Sequence, residues 1–257
     1  MGKVIGVLNH KGGVGKTATV GNLGAALKLR GFGVLLLDLD GQANLTDSLG
    51  LSKETQGKET MYDAMRGSCD LPVYENQDGL RVSPSCLDLS AVETELLHEA
   101  GREMIAKGLL ASVRNEYDFI LIDCPPSLSL LTLNAMTAAD SLIIPVQAEY
   151  LAMRGMGKLT GVIDTVRERL NPALEIEGVL MTSYDGRKNL NRSVAELVGE
   201  MFGDKVFTTR IRENVSIPEA TAAGRDVISY APSSTGAKDY RDLAEEFVKN
   251  GKGEAIR

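Results

Sequence analysis

Short runs of β-branched and aliphatic residues recur along this 257-residue chain, each ending on a polar residue and each separated from the next by a helical pattern. Val4 to Leu8, Val34 to Leu37, Phe119 to Ile122, Leu142 to Val146 and Ile176 to Met181 are too short for buried helices and carry little polar alternation. They therefore read as strands covered on both faces, which means a mostly parallel sheet with helices above and below, an α/β doubly wound fold. Segment 17 to 30 places Val20, Leu23 and Leu27 on one face, and its small residues Gly21, Gly24, Ala25 and Ala26 would let it lie close to the sheet. Further helices are expected near 88 to 115, 128 to 138, 155 to 170, 191 to 201 and 236 to 249. Leu80 to Val82 would add a strand, Val206 to Phe207 a short one, and the polar stretch 52 to 60 a surface loop.

Ligands of an open parallel sheet bind beyond the carboxyl ends of its strands. Here those ends carry Asn9, Asp38 with Asp40, Asp123, Gln147 and Thr182, so polar groups from separate strands are expected to converge on one edge. Between the first strand and its helix runs His10-Lys11-Gly12-Gly13-Val14-Gly15-Lys16-Thr17-Ala18. The Gly-Lys-Thr end fits a P-loop: glycines turn consecutive N–H groups inward, the helix start adds its dipole, the lysine reaches the β and γ phosphates, and the threonine hydroxyl ligates Mg²⁺. Residues Lys11 to Ala18 thus form a triphosphate cradle. A P-loop has glycine six positions before its lysine, whereas this chain has His10 there and a second lysine, Lys11, after it.

Composition excludes several alternatives. Hydrophobic residues at 43% and charged residues at 25% match a globular chain, and no apolar run approaches the ~18 residues that span a bilayer. The start, Met1 to Val7, enters a strand directly without a signal-peptide pattern, so a cytoplasmic protein is expected. Cys69, Cys86 and Cys124 match no metal or disulfide spacing and read as small buried hydrophobes, and with only His10 and His98 a multi-histidine metal site is excluded. Net charge is −7, but residues 184 to 257 hold 12 Lys/Arg against 12 Asp/Glu, leaving 16 against 23 before them (28 and 35 in all). A basic patch in that last third would not be overwhelmed by its neighbours.

Lys11-Gly-Gly-Val-Gly-Lys16-Thr17 resembles the deviant Walker A motif of the ParA/MinD family of ATPases. The stretches Leu36 to Thr46 and Tyr117 to Pro126 resemble that family's second acidic motif and its Walker B strand. Thr182 to Leu190, Ile211 to Val215 and Gly236 to Tyr240 are similar to the ParA branch, so the likeness runs from residue 3 to about 248. The resemblance implies an ATP hydrolase with Mg²⁺, in which Lys11 contacts the nucleotide of a second copy across an ATP-sandwiched homodimer. It assigns Asp40 to orienting the attacking water and Asp38 to supporting the magnesium and the P-loop. Thr17 would hold the ion directly and Asp123 through water; the alternative for each aspartate is a cap on the turn that follows. Arg212 and Asn214 fall in the family's adenine-binding loop, with arginine standing where the family carries proline.

The ParA branch binds DNA without sequence preference once the ATP dimer forms, and a ParB-like adaptor stimulates hydrolysis. Arg187 matches one of its basic positions, while Ser216 stands at a second. Lys188, Arg192 and Arg210 would compensate, the alternative being a solvated charged face. No arginine finger is visible in the chain, so isolated turnover is expected to be slow. The implied role is a switch in plasmid or chromosome partitioning, associated with the nucleoid when ATP-bound. The competing readings are a same-fold positioning ATPase for a protein or membrane cargo and a non-catalytic nucleotide-binding scaffold. Residues 1–257 are read as one domain without an amino-terminal helix-turn-helix. Membrane anchoring is not expected, since Leu243, Ala244, Phe247 and Val248 should dock on the core and the tail 250–257 is short and glycine-interrupted.

Overall fold

A computed structural model of the chain describes residues 1–149 and 152–250. The elements, in chain order, are β1 Lys3–Val7, α1 Lys16–Leu29, β2 Val34–Asp38, α2 Asn44–Ser48, α3 Met61–Met65, β3 Tyr74–Glu75, β4 Arg81–Ser83, α4 Val92–Glu95 and α5 Ile105–Val113. They continue with β5 Phe119–Asp123, α6 Leu130–Ala138, β6 Ser141–Gln147, α7 Ala152–Arg169, β7 Glu175–Thr182, α8 Asn189–Phe202, α9 Ser216–Ala222, α10 Val227–Tyr230 and α11 Thr235–Asn250.

The strands form one sheet in the order β3-β4-β2-β5-β1-β6-β7, parallel throughout except for the edge pair β3–β4. Successive strand residues point to opposite faces, and both faces are covered. On one side Val4, Leu35, Leu37, Ile120, Ile122 and Ile144 pack with Leu110 of α5, Leu131 of α6, Ile163 of α7 and Val194 of α8. On the other, Ile5, Val7, Leu36, Leu121 and Ile143 pack with Leu23 and Leu27 of α1 and with Tyr240, Leu243 and Phe247 of α11. That is the doubly wound arrangement expected from the uninterrupted apolar runs. The docking of Leu243, Ala244 and Phe247 is likewise observed. Residues 251–257, the tail on which the anchoring argument partly rested, lie outside the described residues. Among the described residues no helix is long and apolar enough to cross a membrane.

The expected helix 88 to 115 is corrected to short pieces: a 3-10 turn over Leu87–Ala91, α4, a 3-10 turn over Arg102–Met104, and α5. Gly101 at φ 74° turns the chain between them. Asn134 of α6 accepts the Ala106 N–H at 3.0 Å and donates to the Arg102 carbonyl at 2.8 Å, so tertiary hydrogen bonds replace helical ones. Val206 to Phe207 is a single bridge to Val179 rather than a strand. The next N–H groups, of Thr208 and Thr209, donate instead to the Glu246 carboxylate at 2.6 and 2.7 Å, which ends the ladder. Segment 52 to 60 is a run of turns as expected, yet Thr55 and Thr60 are buried, and Thr60 caps α3 in a capping box with Asp63.

Candidate nucleotide site

All parallel strands end on the same edge. Register alignment places Asp38 beside Asp123 and Val7 beside Asp123, with Gln147 beside Thr182 further along. β1 delivers the glycine-rich loop to the middle of that edge, with the carboxylates of β5 and β2 on one flank and the ends of β6 and β7 on the other.

The loop is held from three sides. Asn9 donates to the Pro145 carbonyl at 2.7 Å and accepts the Lys11 N–H at 3.1 Å, tying the loop's start to β6. The Thr182 hydroxyl donates to the Val14 carbonyl at 2.8 Å, tying its middle to β7. The His10 ring packs against Gly155 of α7, where an added methyl would lie 1.6 Å from it. Burial lowers the His10 pKa, with Lys158, Lys16 and Lys11 adding to the effect. Gly13 and Gly15 adopt φ of 75° and 86°, the left-handed region that turns the N–H groups inward. Nothing stands within 4 Å of the outward positions of Gly12 and Gly13, so the cradle is open.

The first hydrogen bond inside α1 runs from the Thr19 N–H to the Gly15 carbonyl at 2.9 Å. The N–H groups of Lys16, Thr17 and Ala18 therefore have no partner within the helix and point toward its amino-terminal end, which is what an anion requires. The Lys16 side chain lies back over the loop and donates to the Lys11 carbonyl at 3.2 Å. Burial lowers its pKa while Asp123 opposes that shift.

Asp123 is fully buried and neither carboxylate oxygen has a hydrogen-bond partner. Burial raises its pKa well above the usual carboxylate range and the neighbouring Asp38 adds to this; the Thr17 hydroxyl and Lys16 oppose it without making a full hydrogen bond. A bare carboxylate in such surroundings is expensive to ionise, and a divalent cation shared with Thr17 is the group that fits. Asp38, also fully buried, differs: its carboxylate accepts the Asp40 N–H at 3.1 Å, the Thr46 N–H at 2.9 Å and the Thr46 hydroxyl at 2.7 Å. Burial pushes it up to about 6 against those bonds. Its oxygens are thus engaged in holding loop 40 to 46, whereas those of Asp123 have no partner. β2 ends at Asp38, so Asp40 is freed from strand alternation and lies on the same edge, its carbonyl accepting the Ser85 hydroxyl at 2.7 Å.

Ser85 was missed in the sequence, and Thr46 was placed only as the end of the second acidic motif, with no role of its own. The Ser85 N–H donates to the Thr46 hydroxyl at 2.9 Å, so Asp38, Thr46, Ser85 and Asp40 form one network. The available signal was position alone, since Ser85 follows the carboxyl end of β4 on the same edge. Glu149, which pairs with Lys11, gave no signal at all.

The Arg212 guanidinium and N–H donate to Asp239. The four basic residues expected on DNA do share one surface. Arg187, Lys188 and Arg192 lie on one loop and helix start, and the Arg210 guanidinium stacks 4.3 Å from the Tyr184 ring centre. Half of that charge is locally answered: Arg187 forks onto Asp185 at 2.9 Å, holding that carboxyl down at about 2, and Lys188 pairs with Glu213 at 2.7 Å.

A nucleoside triphosphate with its magnesium satisfies both the open N–H groups and the unpaired carboxylate, and the class of protein so defined is a P-loop ATPase. A family model described as an AAA domain matches residues 2–176. The sporulation initiation inhibitor protein Soj of Bacillus subtilis is 45% identical, over 98% of this chain and 100% of its own. The chromosome partitioning protein ParA of Caulobacter vibrioides is 43% identical, over 96% and 94%. Among solved structures, the cobyrinic acid a,c-diamide synthase of Mycobacterium smegmatis with bound ADP and magnesium superposes with a TM-score of 0.87 at 36% identity, covering 98% of this chain and 96% of that one. The cell division ATPase MinD of Pyrococcus furiosus gives 0.80 at 30%, covering 97% and 99%. The chain belongs to the Soj/ParA family of P-loop ATPases, and ATP and Mg²⁺ are its cofactors.

Proposed function

We propose that this ATPase is a partition switch: ATP joins two copies, the joined form binds DNA without sequence preference, and a ParB-like adaptor resets it by stimulating hydrolysis. The observation that carries the reading is Lys11. The phosphates of its own cradle would already be served by Lys16 and by the loop and helix N–H groups, whereas Lys11 lies at the loop's start with its half-buried ammonium paired to Glu149. A second positive charge in that position has work to do on another copy's nucleotide. Its charge would also supply transition-state stabilisation.

Within each copy, Lys16, Thr17 and the N–H groups of Gly12 to Ala18 bind the phosphates, and Thr17 with Asp123 would hold the magnesium, whose chemistry is to neutralise charge on the transferred group. Asp40 orients the attacking water, and Asn214 meets the base. Arg187, Lys188, Arg192 and Arg210 contact DNA phosphates, doubled by the second copy, and the ATP form is nucleoid-associated. Residues 1–257 act as one domain. A protein cargo is the second reading, favoured by one observation: Asp185 and Glu213 neutralise half of the basic cluster.

Static light scattering tests the switch. Wild-type protein with Mg-ATP should double in mass, while Lys11→Ala should bind ATP and stay monomeric. A stable ATP dimer of the Lys11→Ala protein would remove the cross-copy role.

A further inference from the structure

The carboxylates at the ends of β5 and β2 lie on one flank of the cradle, so a bound nucleotide with its magnesium would direct its γ end that way. Its base end would then run to the opposite flank, past β6 and β7. There the Thr182 side chain stands 3.6 Å from the outward position of Gly15. Just beyond it Tyr184 bridges Arg212: the Tyr184 N–H donates to the Ile211 carbonyl at 3.0 Å and the Glu213 N–H to the Tyr184 carbonyl at 3.3 Å. Loop 211 to 216 is therefore laid against the extension of β7, at the base end.

Besides the Tyr184 bridge, side chains tie that loop to α11 at two points. Asn214 donates to the Thr235 hydroxyl at the helix start and accepts the Ser216 N–H at 2.7 Å. Arg212 makes the stronger attachment. Its N–H donates to Asp239 at 2.9 Å, its Nε lies 3.1 and 3.0 Å from the two carboxylate oxygens, and its terminal nitrogen donates at 2.6 Å. The Asp239 side chain is 6% exposed and the Arg212 side chain 49%, so the carboxylate is the buried anchor and the arginine the strap across it. Charge-assisted, forked bonds of this kind fix orientation as well as energy. The Arg212 N–H points away from the Tyr184 bridge, and Asp239 is the group that accepts it. Helix α11 itself packs on α1, the helix that begins with Lys16 and Thr17, with Tyr240 buried facing Thr19 and Asn22. The base loop is thereby referenced to the same body that carries the phosphates.

We infer that Asp239 is a positioning residue for the nucleotide base, acting through Arg212 to hold the base-facing loop in register with the phosphate cradle. The inference rests on the ATP-site reading and is independent of the dimer. It is tested on the full chain with two ligands that keep the dimer out of play, Mg-ADP and Mg-pyrophosphate, by titration calorimetry. Asp239→Ala should weaken ADP about tenfold and leave pyrophosphate within about twofold, because only ADP carries a base for the loop to meet. Should that variant fail to fold, Asp239→Asn keeps one acceptor for the Arg212 N–H and should give the same selective loss, about threefold. Equal weakening of both ligands, or no change in ADP, overturns the inference. So does a wild-type protein that binds pyrophosphate as tightly as ADP, an outcome that leaves the phosphate site standing. Wild-type protein that binds neither ligand contradicts the ATP-site reading itself.

Discussion

Lys11 is paired with Glu149, two residues beyond the end of β6, so the lysine at the mouth of the cradle is tethered by its own chain. The two side chains are 32% and 50% exposed. Exposed pairs of this kind contribute ~0.2–1 kcal/mol, enough to hold the ammonium aside and too little to resist a second copy's phosphates.

Releasing the tether should therefore favour the joined form. Glu149→Gln is expected to lower the ATP concentration for half-maximal dimerisation about two- to fivefold, the range set by a ~1 kcal/mol pair, while ADP affinity stays unchanged. Light scattering across an ATP series reads this. An unchanged midpoint would make the pair incidental.

The neighbouring strand ends predict a pH dependence. Burial raises Asp38 from 3.8 to about 6, and an acid raised on folding favours the fold while protonated. That contribution is complete below about pH 4 and is lost as pH rises to and through about 6, amounting to about 3 kcal/mol for a two-unit shift. Thermal midpoints of the nucleotide-free protein in chelator should fall between about pH 4 and 6 relative to those of Asp38→Asn and level off above. A wild-type midpoint that rises relative to Asp38→Asn over that window contradicts the assignment.

Binding and turnover should separate by residue. Lys16→Ala removes the phosphate contact and should abolish measurable ATP binding. Asp40→Ala should keep ATP affinity within about threefold while turnover falls about a hundredfold or more, the usual scale for a group that positions the nucleophile. Equilibrium binding set beside steady-state hydrolysis distinguishes the two. An Asp40→Ala protein that turns over at the wild-type rate removes Asp40 from the chemistry.

The sheet and its edge were legible because their signals are local. An apolar run closed by Asp38, Asp123 or Thr182 states both a buried strand and where it ends, and Gly13, Gly15, Lys16 and Thr17 carry the cradle in consecutive positions. What stayed hidden depends on contacts between distant residues. Nothing near Arg212 announces Asp239, 27 positions on, as the partner of its guanidinium. Ser85 and Thr46 are ordinary in sequence and acquire a role only when β4 and β2 lie side by side. The expected helix at 88 to 115 failed for the same reason, since Asn134 supplies its replacement bonds from another element.

DNA binding in the ATP state is the central claim, and it meets resistance from the net charge of −7 and from Asp185 and Glu213 inside the basic cluster. The direct measurement is titration of unrelated labelled duplexes with ATP-loaded Asp40→Ala protein at several salt concentrations. The account predicts equal affinity for every sequence, none for the ADP form, and a log–log salt slope of about −0.9 per phosphate neutralised. Arg187→Ala should reduce that slope by up to about 0.9 without altering nucleotide affinity. No binding at low salt by the ATP-loaded protein would contradict the DNA reading and leave the protein cargo in its place.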